Sequence, residues 1–182
     1  MSYSIHKGTI MKLKHKIYFS IAALLALASW AIAIYYWDKI PQTIPIHFGI
    51  SGQADGWANK SIFNVSLIPF LQTIFLGLFV FLYYKPQYSD IPTTMWLMTL
   101  DKKHRDHAFS LIRIMLVGMS LWLGILFTYM TYGMNISAIG PDSGLSTPIM
   151  FSVIGLMILW LTYWTIKVYR ATKEAMASSR NK

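Results

Sequence analysis

The stretch IYFSIAALLALASWAIAIYYW, Ile17 to Trp37, carries no charge between Lys16 and Asp38. A helix rises about 1.5 Å per residue and a bilayer core is about 30 Å thick, so about 20 apolar residues make one crossing. Working outward, three more windows meet that requirement: residues 62–84, 114–132 and 148–166. The expectation is an all-α integral membrane protein, a bundle of four transmembrane helices joined by short connections. Composition agrees. Of the 182 residues 55% are hydrophobic and 13% charged, with mean hydropathy +0.45, whereas a soluble domain carries about 25% charge. So little charge on so much apolar surface calls for lipid as the solvent. With no cysteine in the chain, disulfides, thiolate nucleophiles and cysteine-held metal are excluded.

The charges are placed unevenly. Net charge is +9, from 16 Lys and Arg against 7 Asp and Glu, and fourteen of the sixteen basic residues fall before residue 17, between Lys85 and Arg113, or from Lys167 onward. Only Lys39 and Lys60 lie elsewhere. Basic residues collect on the cytoplasmic side of a bilayer. Segments 1–16, 85–113 and 167–182 are therefore expected in the cytoplasm, with both termini, and 38–61 and 133–147 outside. Split among three segments without a binding motif, the basic groups do not indicate a nucleic acid partner. Aromatic residues at the window edges, among them Tyr35, Tyr36, Trp37, Tyr83 and Tyr84, suit the headgroup level. Ala31-Ile32-Ala33 mimics a signal-peptide cleavage site, but the apolar run continues into Tyr35, so the first span is expected to be retained.

In the first span Ala22, Ala26, Ser29 and Ala33 follow i, i+4, i+7, i+11 spacing and line one helix face, with Leu24, Leu25 and Leu27 pointing elsewhere. Small side chains let membrane helices approach closely, either inside the bundle or against another protein. Gly118, Gly124 and Gly155 are further packing candidates. The windows contain no Asp, Glu, Lys, Arg or His, which argues against transport, proton relay or voltage sensing by this chain alone. No catalytic residue, metal site or cofactor is assigned. Gln72, Thr128 and the other polar groups of the spans are expected to bond helix backbone or a neighbour.

Between the first two spans the chain reads IPQTIPIHFGISGQADGWANKS, Ile40 to Ser61. Pro41 and Pro45 favour extended backbone, residues 44–48 can form a strand, and Gly49, Gly52 and Asp55-Gly56 supply turns. Ser61 is placed to cap the second span. A small extracytoplasmic loop or hairpin follows, with Trp57 at the membrane surface or folded against Phe48. His47, Asp55 and Lys60 are open to two readings: one polar site for a peptide group or divalent cation, with Trp57 beside it, or separate structural roles. In the second, Asp55 bonds turn amides, His47 a loop carbonyl, and Lys60 reaches headgroups. In the cytoplasmic loop, residues 93–100 read as a short interfacial helix, and Asp101, His104, Asp106 and His107 as either a solvated face or a metal site.

The pattern proline-x-x-isoleucine-proline-x-histidine-phenylalanine, from Pro41 to Phe48, then glycine-x-x-aspartate-glycine-tryptophan-x-x-lysine, from Gly52 to Lys60, resembles the extracytoplasmic motif of an uncharacterised bacterial membrane-domain family. That domain also forms the N-terminal part of SdpI-type toxin immunity proteins. The similarity covers about twenty residues and, loosely, both flanking spans. Gly49 stands where the family usually has asparagine, and no C-terminal SdpI domain is recognisable, so the chain resembles a short member. The resemblance implies a bacterial plasma-membrane protein related to proteins that protect cells from a secreted toxic peptide.

Three functional expectations follow. The leading one is a nonenzymatic multi-pass membrane protein that senses, or confers immunity to, an extracellular peptide toxin through residues 41–61. The second is an accessory subunit of a larger membrane enzyme or transporter complex; separately, the protein partner could be another membrane protein or further copies of the chain in a homo-oligomer. The third is a metal-dependent membrane enzyme using loop chemistry around His47 and Asp55.

Overall fold

The computed structural model describes residues 11–88, 100–140 and 145–180. Helix α1 spans Leu13–Tyr36, strands β1 and β2 span Thr43–Phe48 and Ala54–Asn59, and helix α2 spans Ile62–Tyr84. A single 3-10 turn, Pro86–Tyr88, follows α2; then come α3, Lys102–Ile139, and α4, Thr147–Arg180. All four helices are long and apolar enough to cross a membrane. The fold is thus a helical membrane bundle with one two-stranded antiparallel sheet between α1 and α2.

Helix α3 is the centre. It packs against α1, α2 and α4, while α1 also packs against α2. The small-residue stripe is the packed face of α1: Ala22, Ala26, Ser29 and Ala33 are all buried, and the same stripe extends back through Phe19 to His15. Leu24 and Leu27 face outward, but Leu25 does not. It lies against Gly124 of α3, where an added Cβ would stand 3.2 Å from Leu25 Cδ1. A missing side chain on one helix admits a large one from the next. Gly118 is filled in the same way by the Trp160 ring of α4, whereas Gly155 has nothing within 4 Å and takes no part in packing.

Two helices outrun their apolar windows. With 38 residues, α3 is about 57 Å long, far more than a bilayer core requires. Its first turns are the basic run Lys102 to His107, started by Asp101, whose carboxylate accepts the His104 N–H at 3.0 Å and contacts the His104 ring at 2.8 Å. Asp101 and His104 therefore form a helix cap. The expected interfacial helix over residues 93–100 lies outside the described residues, apart from the buried Leu100.

Contacts between helix ends orient the bundle. His15 Nδ1 is 2.8 Å from the Tyr83 hydroxyl, and Arg113 Nε donates to the Tyr83 carbonyl at 3.0 Å. Ala108 and Ile112 of α3 cluster with Val168 and Ala175 of α4. The basic start of α1, the end of α2, the start of α3 and the end of α4 thus share one end of the molecule. The hairpin occupies the other.

Candidate functional site: the hairpin between the first two helices

The hairpin is built from the prolines and glycines of residues 41–61. Pro45, fully buried, pairs with Trp57, and the register shifts between Pro45 and His47. Proline has no N–H for a sheet ladder, so a strand that contains one is irregular there. The shift leaves two successive residues, Ile46 and His47, exposed. Across from His47 stands Gly56, where an added Cβ would come within 2.7 Å of His47 Cβ. Glycine at 56 lets the imidazole lie over the second strand and reach Asp55, and His47 Nδ1 contacts the Asp55 carboxylate.

The turn is equally specific. Gly49 N–H donates to the Gln53 carbonyl and Gly52 N–H to the Gly49 carbonyl, both at 2.9 Å. Gly52 has φ +80°, which side chains rarely tolerate. Its carbonyl accepts the Leu145 N–H at 3.0 Å, from the chain just before α4. A Cβ on Gly52 would stand 2.0 Å from the Leu145 carbonyl oxygen. At the other end of the hairpin, Ile44, Ile40, Ala33 and Val65 form a buried cluster with Ala138 of α3 against it. Ser61 caps α2 by accepting the Asn64 N–H at 3.1 Å. The sheet is anchored on the helix ends at its base and on the α3–α4 connection at its tip.

The structure brings together only part of the expected polar site. His47 and Asp55 pair with each other, with side chains 70% and 53% exposed, rather than with a loop carbonyl and turn amides, because the register shift turns both to the same side. Lys60 does not join them. Its Nζ lies 3.4 Å from the Ile40 carbonyl and 4.8 Å from the Trp37 ring centre, held at the base of the hairpin by a cation–π contact. Trp57 does not fold against Phe48, since Phe48 pairs with Ala54 and Trp57 with Pro45. It is half exposed, as are Ile46 and, still more, Ile50. Among the described residues no group of three His, Asp or Glu could hold a metal ion. The surface combines three apolar side chains with one imidazole–carboxylate pair, on a sheet in which each strand has a single partner.

Inside the bundle Gln72 and Thr128 bond helix backbone and neighbours as expected, but their grouping with Ser29, and a second cluster around His15, do not follow from the sequence reading. Ser29 Oγ lies 2.6 Å from Gln72 Oε1 and 3.0 Å from Thr128 Oγ1, while Gln72 Nε2 lies 3.2 Å from both the Gly124 carbonyl and Thr128 Oγ1. A serine hydroxyl has one proton and an amide nitrogen two. The consistent assignment has Ser29 donating to Gln72, Gln72 donating to Gly124 and Thr128, and Thr128 donating to the Gly124 carbonyl at 2.7 Å. Helices α1, α2 and α3 are thereby joined at one level. The second cluster is His15 with Tyr83 and Arg113, described above. The spacing that places Ser29 on the buried stripe also reaches His15, which is the signal that could have found it.

These features define a multi-pass helical membrane protein carrying a structured hairpin. Within it, residues 24–73 match the model of a family described as a domain of unknown function, DUF1648. The matched stretch begins in α1, contains the whole hairpin and ends in α2 just past Gln72. It includes both partners of the Ser29–Gln72 bond and of the 3.1 Å bond from Trp30 Nε1 to Thr73 Oγ1. Comparison with curated proteins and with solved structures finds no match.

Proposed function

We propose that this chain is a bacterial plasma-membrane protein whose hairpin faces the cell exterior and binds an extracellular peptide, as an immunity or sensing protein of the SdpI-related kind. The observation that carries the reading is the hairpin itself: Ile46, Ile50 and Trp57 are exposed on it together with the His47–Asp55 pair, and it is anchored to the bundle at base and tip. Unpaired strand edges accept an extended peptide by main-chain hydrogen bonding, and flanking side chains select its sequence. A half-exposed tryptophan supplies an anchor. Holding the hairpin on the bundle removes the entropy that a free loop would lose on binding. Gathering of the basic residues at the opposite end of the bundle supports the outward placement, with both termini in the cytoplasm.

The test is survival of the producing cell, with and without the gene, when exposed to the peptides secreted by its own species. Deletion should sensitise the cells to one of them. His47→Ala and Trp57→Ala should do the same while leaving the protein in the membrane at normal abundance. Unchanged survival on deletion refutes the reading.

One observation favours an accessory subunit instead. Among the described residues α4 packs chiefly on α3, and no residue of its most apolar stretch is buried. The exposed side chains include Leu156, Leu159 and Tyr163. Purification in mild detergent separates the readings: a larger membrane protein in fixed stoichiometry supports a subunit role, and an isolated chain or small homo-oligomer opposes it.

A further inference from the structure

Helices α1 and α4 both pack on α3, and between them a groove runs along one face of α3, where Ile114, Leu121 and Ile125 are partly exposed and Gly118 is buried under Trp160. Ile114, Gly118, Leu121 and Ile125 are spaced i, i+4, i+7, i+11 and so share a face. They form the floor of a cavity of about 440 Å³, with Tyr18 of α1 and Trp160 of α4 among its walls. That volume is within the roughly 300–1,000 Å³ range of small-ligand sites. Its shape follows from the packing of Trp160, whose ring fills the place a side chain at Gly118 would take and whose Nε1 donates to the Met115 carbonyl at 3.3 Å.

The two ends of the cavity differ. One is bordered by Lys14 and His15, at the basic end of the molecule, where His15 and Arg113 both contact Tyr83. The floor then runs from Ile114 to Ile125, about 16 Å along the helix, close to the roughly 15 Å thickness of one leaflet of the hydrocarbon core. The lining beyond the mouth is almost wholly apolar. A slot one leaflet deep with a cationic mouth has the dimensions and polarity of a phospholipid. A partner helix would call for an apolar face running through both leaflets.

We propose that this groove holds an acyl chain of one anionic phospholipid from the leaflet at the basic end, its phosphate seated at Lys14. The experiment uses the full chain in mild detergent, with mass spectrometry of the intact protein–lipid complex. The probes are phosphatidylglycerol and phosphatidylcholine carrying the same acyl chains. Wild type should retain one phosphatidylglycerol with at least a tenfold preference over phosphatidylcholine. Leu121→Trp and Ile125→Trp, which fill the groove at two depths, should each lower that retention tenfold or more. Lys14→Gln should reduce the preference for the anionic headgroup. Equal retention of the two lipids by wild type overturns the proposal, and that arm does not depend on any variant folding. Undiminished retention in a folded groove-filling variant, or a polypeptide occupying the groove in place of lipid, also overturns it.

Discussion

Gly52 and Gly155 show how differently one residue type serves this chain. Gly52 combines a positive φ with an approach to Leu145 that leaves no room for a Cβ. Gly52→Ala should therefore cost about 1–3 kcal/mol through backbone strain alone, with a further loss from the displaced Leu145. The expected result is a lower midpoint of thermal unfolding in detergent and faster proteolysis within the hairpin. Gly155 is a helix-interior glycine with open space around its Cα, so Gly155→Ala should be neutral or stabilising by up to about 1 kcal/mol. The same unfolding measurement reads both. At Gln72, replacement by leucine removes the acceptor of Ser29 and the donors to Gly124 and Thr128. Ser29 can turn its proton to Thr128, 3.0 Å away, which limits the loss to about 1–3 kcal/mol.

At the scale of elements, the hairpin separates residues that hold it from residues that face outward. Ile44 is fully buried at its base, and Ile44→Ala should destabilise the docked hairpin by about 2–5 kcal/mol, as other large-to-small core substitutions do. Trp57→Ala removes a half-exposed ring and should leave unfolding within about 0.5 kcal/mol of wild type. Both can be followed by protease protection of residues 41–61. Much of this element was legible in the sequence, because prolines at 41 and 45 fix φ, and glycines at 49, 52 and 56 permit the turn and close approaches that a side chain would block. The partners of His47 and Lys60 were not. They depend on the register shift after Pro45 and on where Trp37 lies, and a side-chain contact set by register cannot be read from spacing.

Across the whole molecule, the membrane helices were legible because lipid acts on each span through its average polarity, which the sequence carries openly. Hydropathy underestimates α3 and α4 because it registers the solvent and not the backbone. Lys102 to His107 leave the apolar window without leaving the helix. The three-helix polar junction and the lipid-sized groove were hidden for another reason: both depend on which helices are neighbours, and Thr128 or Trp160 acquires its partner only when α3 sits between α1 and α4. The sidedness of the bundle can be measured directly, since the native chain has no cysteine. Single cysteines at Ser51, in the hairpin turn, and at Lys173, near the end of α4, are to be exposed to a membrane-impermeant maleimide on intact cells. Labelling is expected at position 51 alone, with position 173 reacting only after permeabilisation; the reverse pattern would turn the molecule over.

The hydrogen bond from Leu145 to the Gly52 carbonyl joins two regions far apart in the chain, immediately ahead of the first turn of α4. From there α4 runs about 51 Å without a break to the basic end. The tip of the sheet therefore cannot be lifted or tilted without either straining that linkage or taking the head of the last helix with it. Freeing the hairpin tip from the bundle therefore means breaking a backbone bond at the head of the last helix, and slow amide exchange at Leu145 would report that the two remain docked.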